Sequence, residues 1–81
     1  MNESWLKCRL HDGMFSDEVV IELSSGRSYF VNLDRIKRND GERGIVRVRT
    51  LESGGATWAI MPTEDVDVIQ VESGDLERIT S

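Results

Sequence analysis

Four absences do most of the early sorting in this 81-residue chain. Cys8 is its single cysteine, so no intramolecular disulfide can form, and a reducing, cytoplasmic setting is the expectation. His11 is its single histidine, which leaves little for a zinc site that needs four ligands. No apolar run approaches the roughly 20 residues that cross a bilayer as a helix, so no membrane role is expected. The start, Met1-Asn2-Glu3-Ser4-Trp5-Leu6-Lys7, lacks a basic region followed by a long apolar stretch, and a signal peptide is not expected. Pro62 is the one proline and interrupts the chain once.

What is present reads as a small globular domain. The composition is 38% hydrophobic and 31% charged, too apolar and too well patterned for a disordered chain. The net charge of −5 is unevenly spread. Residues 35–49 are basic, with Arg35, Lys37, Arg38, Arg43, Arg47 and Arg49 against Asp40 and Glu42, while both flanks are acidic. An acidic protein repels a polyphosphate at long range, so the basic stretch suits one local anion or an acidic partner better than general nucleic-acid binding.

Turn signals arrive at near-regular intervals: Asp12-Gly13, Ser24-Ser25-Gly26, the polar run 39–44, and Ser53-Gly54-Gly55. Between them the apolar period is two, as in Leu6, Cys8 and Leu10, then Val19, Ile21 and Leu23, then Val46 and Val48. Alternation of this kind marks strands with one buried face. Short strands between turn signals every 8–12 residues predict an all-β domain of five to six antiparallel strands covering 1–81, with 72–81 as a tail. The predicted core is Leu6, Leu10, Val19, Ile21, Leu23, Val31, Val46, Val48 and Ile60. Tyr29, Val31 and Leu33 are assigned inward and Phe30 outward. Residues 37–43 are expected to form a mobile, exposed loop, and 66–71 a strand either closed against the first strands or paired with a second subunit. One 3-10 turn is expected at 62–65, after Pro62, and Ser73 is a candidate cap for a single turn in the tail.

Five strands with a long loop after the second and a 3-10 turn before the fifth resemble the SH3-like small β-barrel. The resemblance covers residues 17–71, with 5–10 as an added first strand, and rests on strand layout. It implies a small barrel, a class that includes peptide-binding domains, RNA-associated Sm-like proteins and purely structural modules, so it selects no function.

Candidate chemistry is sparse. Cys8 and His11 stand in a Cys-x-x-His spacing, but Cys8 lies on an alternating apolar face, where cysteine acts as a small hydrophobe. Carboxylates sit at strand ends, and no glycine spacing forms a phosphate cradle. No catalytic residue, metal or cofactor is assigned, and an enzyme is the least expected class. The candidate interaction surface comprises Arg35, Lys37, Arg38, Arg43, Arg47 and Arg49 together with Trp5, Phe15 and Trp58, since Trp and Arg anchor contacts between proteins. The expected function is a non-catalytic interaction module that binds a protein or a second copy of itself. The alternative is an RNA- or DNA-associated small barrel using 35–49.

Overall fold

The computed structural model describes residues 2–12, 17–63 and 66–79. They form an all-β, curled antiparallel sheet, a half-barrel of eight strands. These are β1 (Asn2–Asp12), β2 (Glu18–Glu22), β3 (Ser28–Asn32), β4 (Ile36–Asp40), β5 (Arg43–Ser53), β6 (Ala56–Ile60), β7 (Val68–Val71) and β8 (Leu76–Arg78).

Two 11-residue strands, β1 and β5, lie side by side at the centre, with Leu6 directly opposite Val46. Each changes partner on its other edge. β1 pairs β8 at residues 4–6 and β2 at 9–12. β5 pairs β4 at 43–46 and β6 at 49–53. β3 and β7 complete the two ends by pairing β2 and β6.

The two halves of the chain repeat one layout. A shift of 40 residues carries β1 onto β5, and the pairs Ile36–Val46 and Leu76–Leu6 are equivalent under it. The same shift carries β3 onto β7 and the 3-10 turn Leu33–Arg35 onto Ser73–Asp75. Only β2 and β6 differ, by a shift of 38, because the turn before β6 is shorter. That turn is Gly54-Gly55, with φ of 62° and 78°. Positive φ at both central residues matches the twist of a two-residue hairpin and suits glycine. The Leu6–Val46 pair maps onto itself, so the approximate two-fold axis passes through it. Each half also lends its last short strand to the other, β4 to β5 and β8 to β1.

The core lies on the concave face. Leu6, Leu10, Val19, Ile21, Leu23, Val31, Val46, Val48, Ala59, Met61 and Ile69 form one buried cluster. Period-two alternation therefore placed β1, β2 and β5 with the correct face inward. Ile60 is a correction: in β6 it is Ala59 and, just beyond, Met61 that are buried. Phe30 is exposed and Val31 buried, as expected, but Leu33 is exposed because the strand ends at Asn32 and a 3-10 turn begins.

Residues 37–40 are a second correction. They are not a loop but most of β4, with Lys37 opposite Ile45 and Arg38 opposite Gly44. Their side chains are exposed. The edge of β5 supplies backbone partners that no apolar pattern advertised. Ile36 does turn inward, packed against the core.

The 3-10 turns are Leu33–Arg35 and Ser73–Asp75. Of the turn expected at 62–65, residues 64–65 lie outside the described residues. Thr63 N–H donates to Met61 C=O at 2.9 Å, a three-residue turn centred on Pro62, whose ring fixes the φ this turn needs. The expected strand 66–71 is shorter, Val68–Val71, with Ile69 in the core, and it pairs with β6 rather than with the first strands. In the tail, Ser73 starts the 3-10 turn without capping it, and Leu76–Arg78 pairs with β1. The strand at 5–10 is thus central rather than appended.

Candidate interaction surfaces

Where β1 and β5 change partners, each leaves a notch in the sheet. One notch is at Lys7-Cys8, between β8 and β2. The other is at Arg47-Val48, between β4 and β6. The 40-residue shift makes the two equivalent in backbone, and the side chains lining them differ.

The Lys7 notch opens into a cavity of about 780 Å³ lined by Lys7, Arg9 and Arg43 together with Glu22, Asp40 and Asp75. Three cations meet three carboxylates. Polar bonds hold its rim: Lys7 Nζ donates to Gly74 C=O at 3.4 Å, and Ser24 Oγ to Asp75 Oδ2 at 2.8 Å. The Arg47 notch is a smaller cavity of about 220 Å³, lined by Arg35, Arg47, Arg49 and Glu3 over Val48, Ile60, Met61 and Pro62. Among the described residues, three guanidinium groups meet one carboxylate there. Arg47 Nη2 donates to Glu3 Oε2 at 2.6 Å. That bond and the Arg47 charge hold the Glu3 carboxyl below its usual range, and Arg49 and Arg35 add to the pull.

The six basic residues singled out from the sequence therefore do not make one patch. Arg35, Arg47 and Arg49 gather at one notch and Arg43 lines the other. Lys37 crosses the convex face, its Nζ 5.9 Å from the centroid of the Trp5 ring, a cation–π distance. Arg38 reaches along to the turn that follows its strand, donating from Nη1 to Gly41 C=O at 2.7 Å. Beside Lys37 and Lys7 in the register lies Ile45, 4% exposed yet outside the concave cluster. Odd residues of β5 face the convex side, so Ile45 is buried there under its neighbours' side chains. Trp5 is half-buried on that same face. Trp58 is half-buried on β6, its Nε1 donating to Ser53 C=O at 3.3 Å. Phe15 lies outside the described residues.

Cys8 and His11 do not converge. Three positions apart on one strand, they project to opposite faces. His11 Nε2 lies 3.1 Å from Glu22 Oε1, while Cys8 packs against the core. Burial raises the Cys8 thiol to about 11, which keeps it protonated and unreactive at neutral pH. Among the described residues, no group of three His, Cys, Asp or Glu side chains is placed to hold a metal ion. Nor, among the described residues, is any helix long and apolar enough to cross a membrane.

The ends of the sheet carry a feature that sequence patterning assigned no role. Among the described residues, β3 and β7 each have a strand on one side only. Leu33 N–H donates to Asp17 C=O at 3.0 Å and Leu23 N–H to Arg27 C=O at 2.9 Å. By the alternation of an antiparallel ladder, the odd residues of β3 bond to β2, and Ser28, Phe30 and Asn32 aim their peptide groups at the open edge. Phe30 is 56% exposed and Val66 is 71% exposed. Both line a cavity of about 710 Å³ that runs along β3 to Pro62 and Asp67. Tyr29 Oη donates to Asp67 Oδ2 at 2.6 Å across it, and Arg27 Nη1 lies 3.5 Å from the same oxygen.

No family model matches the chain, and comparison with the curated proteins and with the solved structures gives no match to either.

Proposed function

We propose that this protein is a non-catalytic interaction module that self-associates through the open edge of β3. The observation that carries this reading is that the edge, Ser28-Tyr29-Phe30-Val31-Asn32, holds no charge and no proline, and exposes Phe30 at its middle. Exposed edges are ordinarily protected by lysine, proline or a bulge, because bare peptide groups template another strand. An antiparallel pairing centred on Phe30 is self-complementary: Phe30 faces the partner's Phe30, and Ser28 faces the partner's Asn32. No like charges oppose one another, and a two-fold contact closes on itself as a dimer rather than a filament. The β7 edge suits this less well, since the equivalent pairing opposes Val68 to the partner's Glu72. The non-catalytic part of the reading is supported by Cys8 and His11 facing apart and by the protonated thiol. As the finer description of the fold, the exchange of β4 and β8 between halves favours a duplicated half-barrel over the SH3-like order.

The test is cross-linking in register. Paired residues across such an edge have Cα atoms about 5.5 Å apart, within disulfide reach. In a Cys8→Ser background, Phe30→Cys should yield a disulfide-linked dimer under mild oxidant, and Gln70→Cys, its equivalent on β7, should not. Light scattering should find a concentration-dependent dimer that Phe30→Lys abolishes while the fold persists. A monomer at every concentration, or equal cross-linking at position 70, overturns the reading.

A further inference from the structure

We infer that the Arg47 notch is a docking site for a carboxylate side chain on an extended acidic segment of a partner protein. The comparison that isolates this site is internal to the molecule. Two notches share one backbone plan, and at the Lys7 notch the cations are balanced by Glu22, Asp40 and Asp75. At the Arg47 notch the position of Glu22 is taken by Ile60 and that of Asp75 by Arg35. Two of the three acids thus give way to an apolar wall and a further cation, the position of Arg43 is taken by Glu3, and that of Asp40 lies outside the described residues. In a protein of net charge −5, a gathering of guanidinium groups is the exception that a specific anion explains.

The chemistry favours a carboxylate. Glu3 already seats its own carboxylate on Arg47 at 2.6 Å, so the notch accepts that group's size and shape. Among the described residues neither Arg35 nor Arg49 has an ion-pair partner. Guanidinium forks suit planar oxyanions. The half-buried Ile60 and the exposed rim residue Val66 offer apolar contact to an aliphatic neighbour of the acidic residue. The acidic surface elsewhere disfavours a nucleic-acid strand, whose many phosphates would meet repulsion beyond the notch.

The inference does not depend on pairing at β3, and its test separates the two by using the Phe30→Lys protein as background. The probe is a fluorescein-labelled peptide alternating glutamate and leucine, followed by fluorescence anisotropy at low salt. Binding should weaken by about tenfold or more in Arg49→Gln and in Arg35→Gln, both exposed positions whose folding circular dichroism confirms. Lys7→Gln at the equivalent notch should leave binding unchanged. A peptide with glutamine for glutamate should also bind about tenfold or more weakly. The inference is overturned by absence of binding, by an equal loss in Lys7→Gln, or by tighter binding of a single-stranded oligonucleotide to the same arginines.

Discussion

Leu6 and Val46 face each other across β1 and β5 at the approximate two-fold axis, and the same row continues to Leu76 on β8 and Ile36 on β4. Four strands, two from each half, are thus tied by one line of apolar side chains. Leu6 is 2% exposed and Val46 fully buried. The exchange of β4 and β8 makes this row the seam between halves, so neither half can bury its own long strand without the other.

Truncation at the seam should therefore unfold the whole sheet. Leu6→Ala is expected to cost about 2–5 kcal/mol, most of the stability available to a domain of this size. Ile60→Ala, half-buried on the convex side, should cost about 1 kcal/mol or less. Urea titration followed by tryptophan fluorescence reads both. Equal losses at the two positions would mean that the convex side also carries a core.

Gly44 marks a second tight point. A Cβ at this position would lie 2.6 Å from Leu10 Cδ1 and 3.0 Å from the Lys37 carbonyl oxygen. Leu10 is buried and the carbonyl belongs to the β4 ladder, so neither moves aside freely. Gly44→Ala should destabilise by about 1–3 kcal/mol, as overpacking does, although alanine adds only a methyl group. Leu10→Val should recover part of the loss when combined with it. No recovery in the double variant would place the strain in the backbone contact instead.

Tyr29 links the two ends of the sheet through Asp67. Its hydroxyl is held above the ordinary 10.0, first by desolvation and then by the bond to the Asp67 carboxylate. The folded state therefore keeps the proton longer than the unfolded chain. Stability from this group is complete below about pH 10 and falls as pH rises through the folded pKa. Tyr29 is the only tyrosine, so phenolate absorbance reports it alone. Its midpoint should lie above 10 and move down, though not fully, in Asp67→Asn, because burial remains. A midpoint unmoved by Asp67→Asn would show that the bond does not form in solution.

How far the sequence could be read depended on whether each strand had one wet face. Leu6, Cys8 and Leu10 alternate with Trp5, Lys7 and Arg9, and the inward set follows directly. Residues 56–61 are nearly all apolar, so nothing local separates Ile60 from Ala59 and Met61. β4 and β8 were illegible for the opposite reason. Each has one apolar residue, Ile36 or Leu76, and exists because an edge of a long strand needs a partner. The internal repeat was present as a 40-residue echo, Val31-Asn32-Leu33-Asp34-Arg35-Ile36-Lys37-Arg38 against Val71-Glu72-Ser73-Gly74-Asp75-Leu76-Glu77-Arg78. Few identities survive in it, because the shared register requires only apolar character at inward positions. The Arg47 notch was half legible: Arg47 and Arg49 share a face by period two, while Glu3 and Arg35 reach it only through folding.

Ile69 tests the closure of the sheet at its far end. It is 7% exposed, lies in the core cluster opposite Ala59, and is the equivalent of Tyr29 under the 40-residue shift. Tyr29 ends in a hydroxyl that reaches a carboxylate partner, and Ile69 has only apolar neighbours in the cluster. A lysine at position 69 would bury an ammonium without a partner, at a cost of several kcal/mol. That exceeds what a sheet of this size can absorb. Ile69→Lys should consequently lose its cooperative thermal transition, whereas Gln70→Lys, one residue on and exposed, should keep it. Circular dichroism melts of the two variants decide between a closed and a loose end. An Ile69→Lys protein with an unchanged melt would place β7 outside the cooperative core.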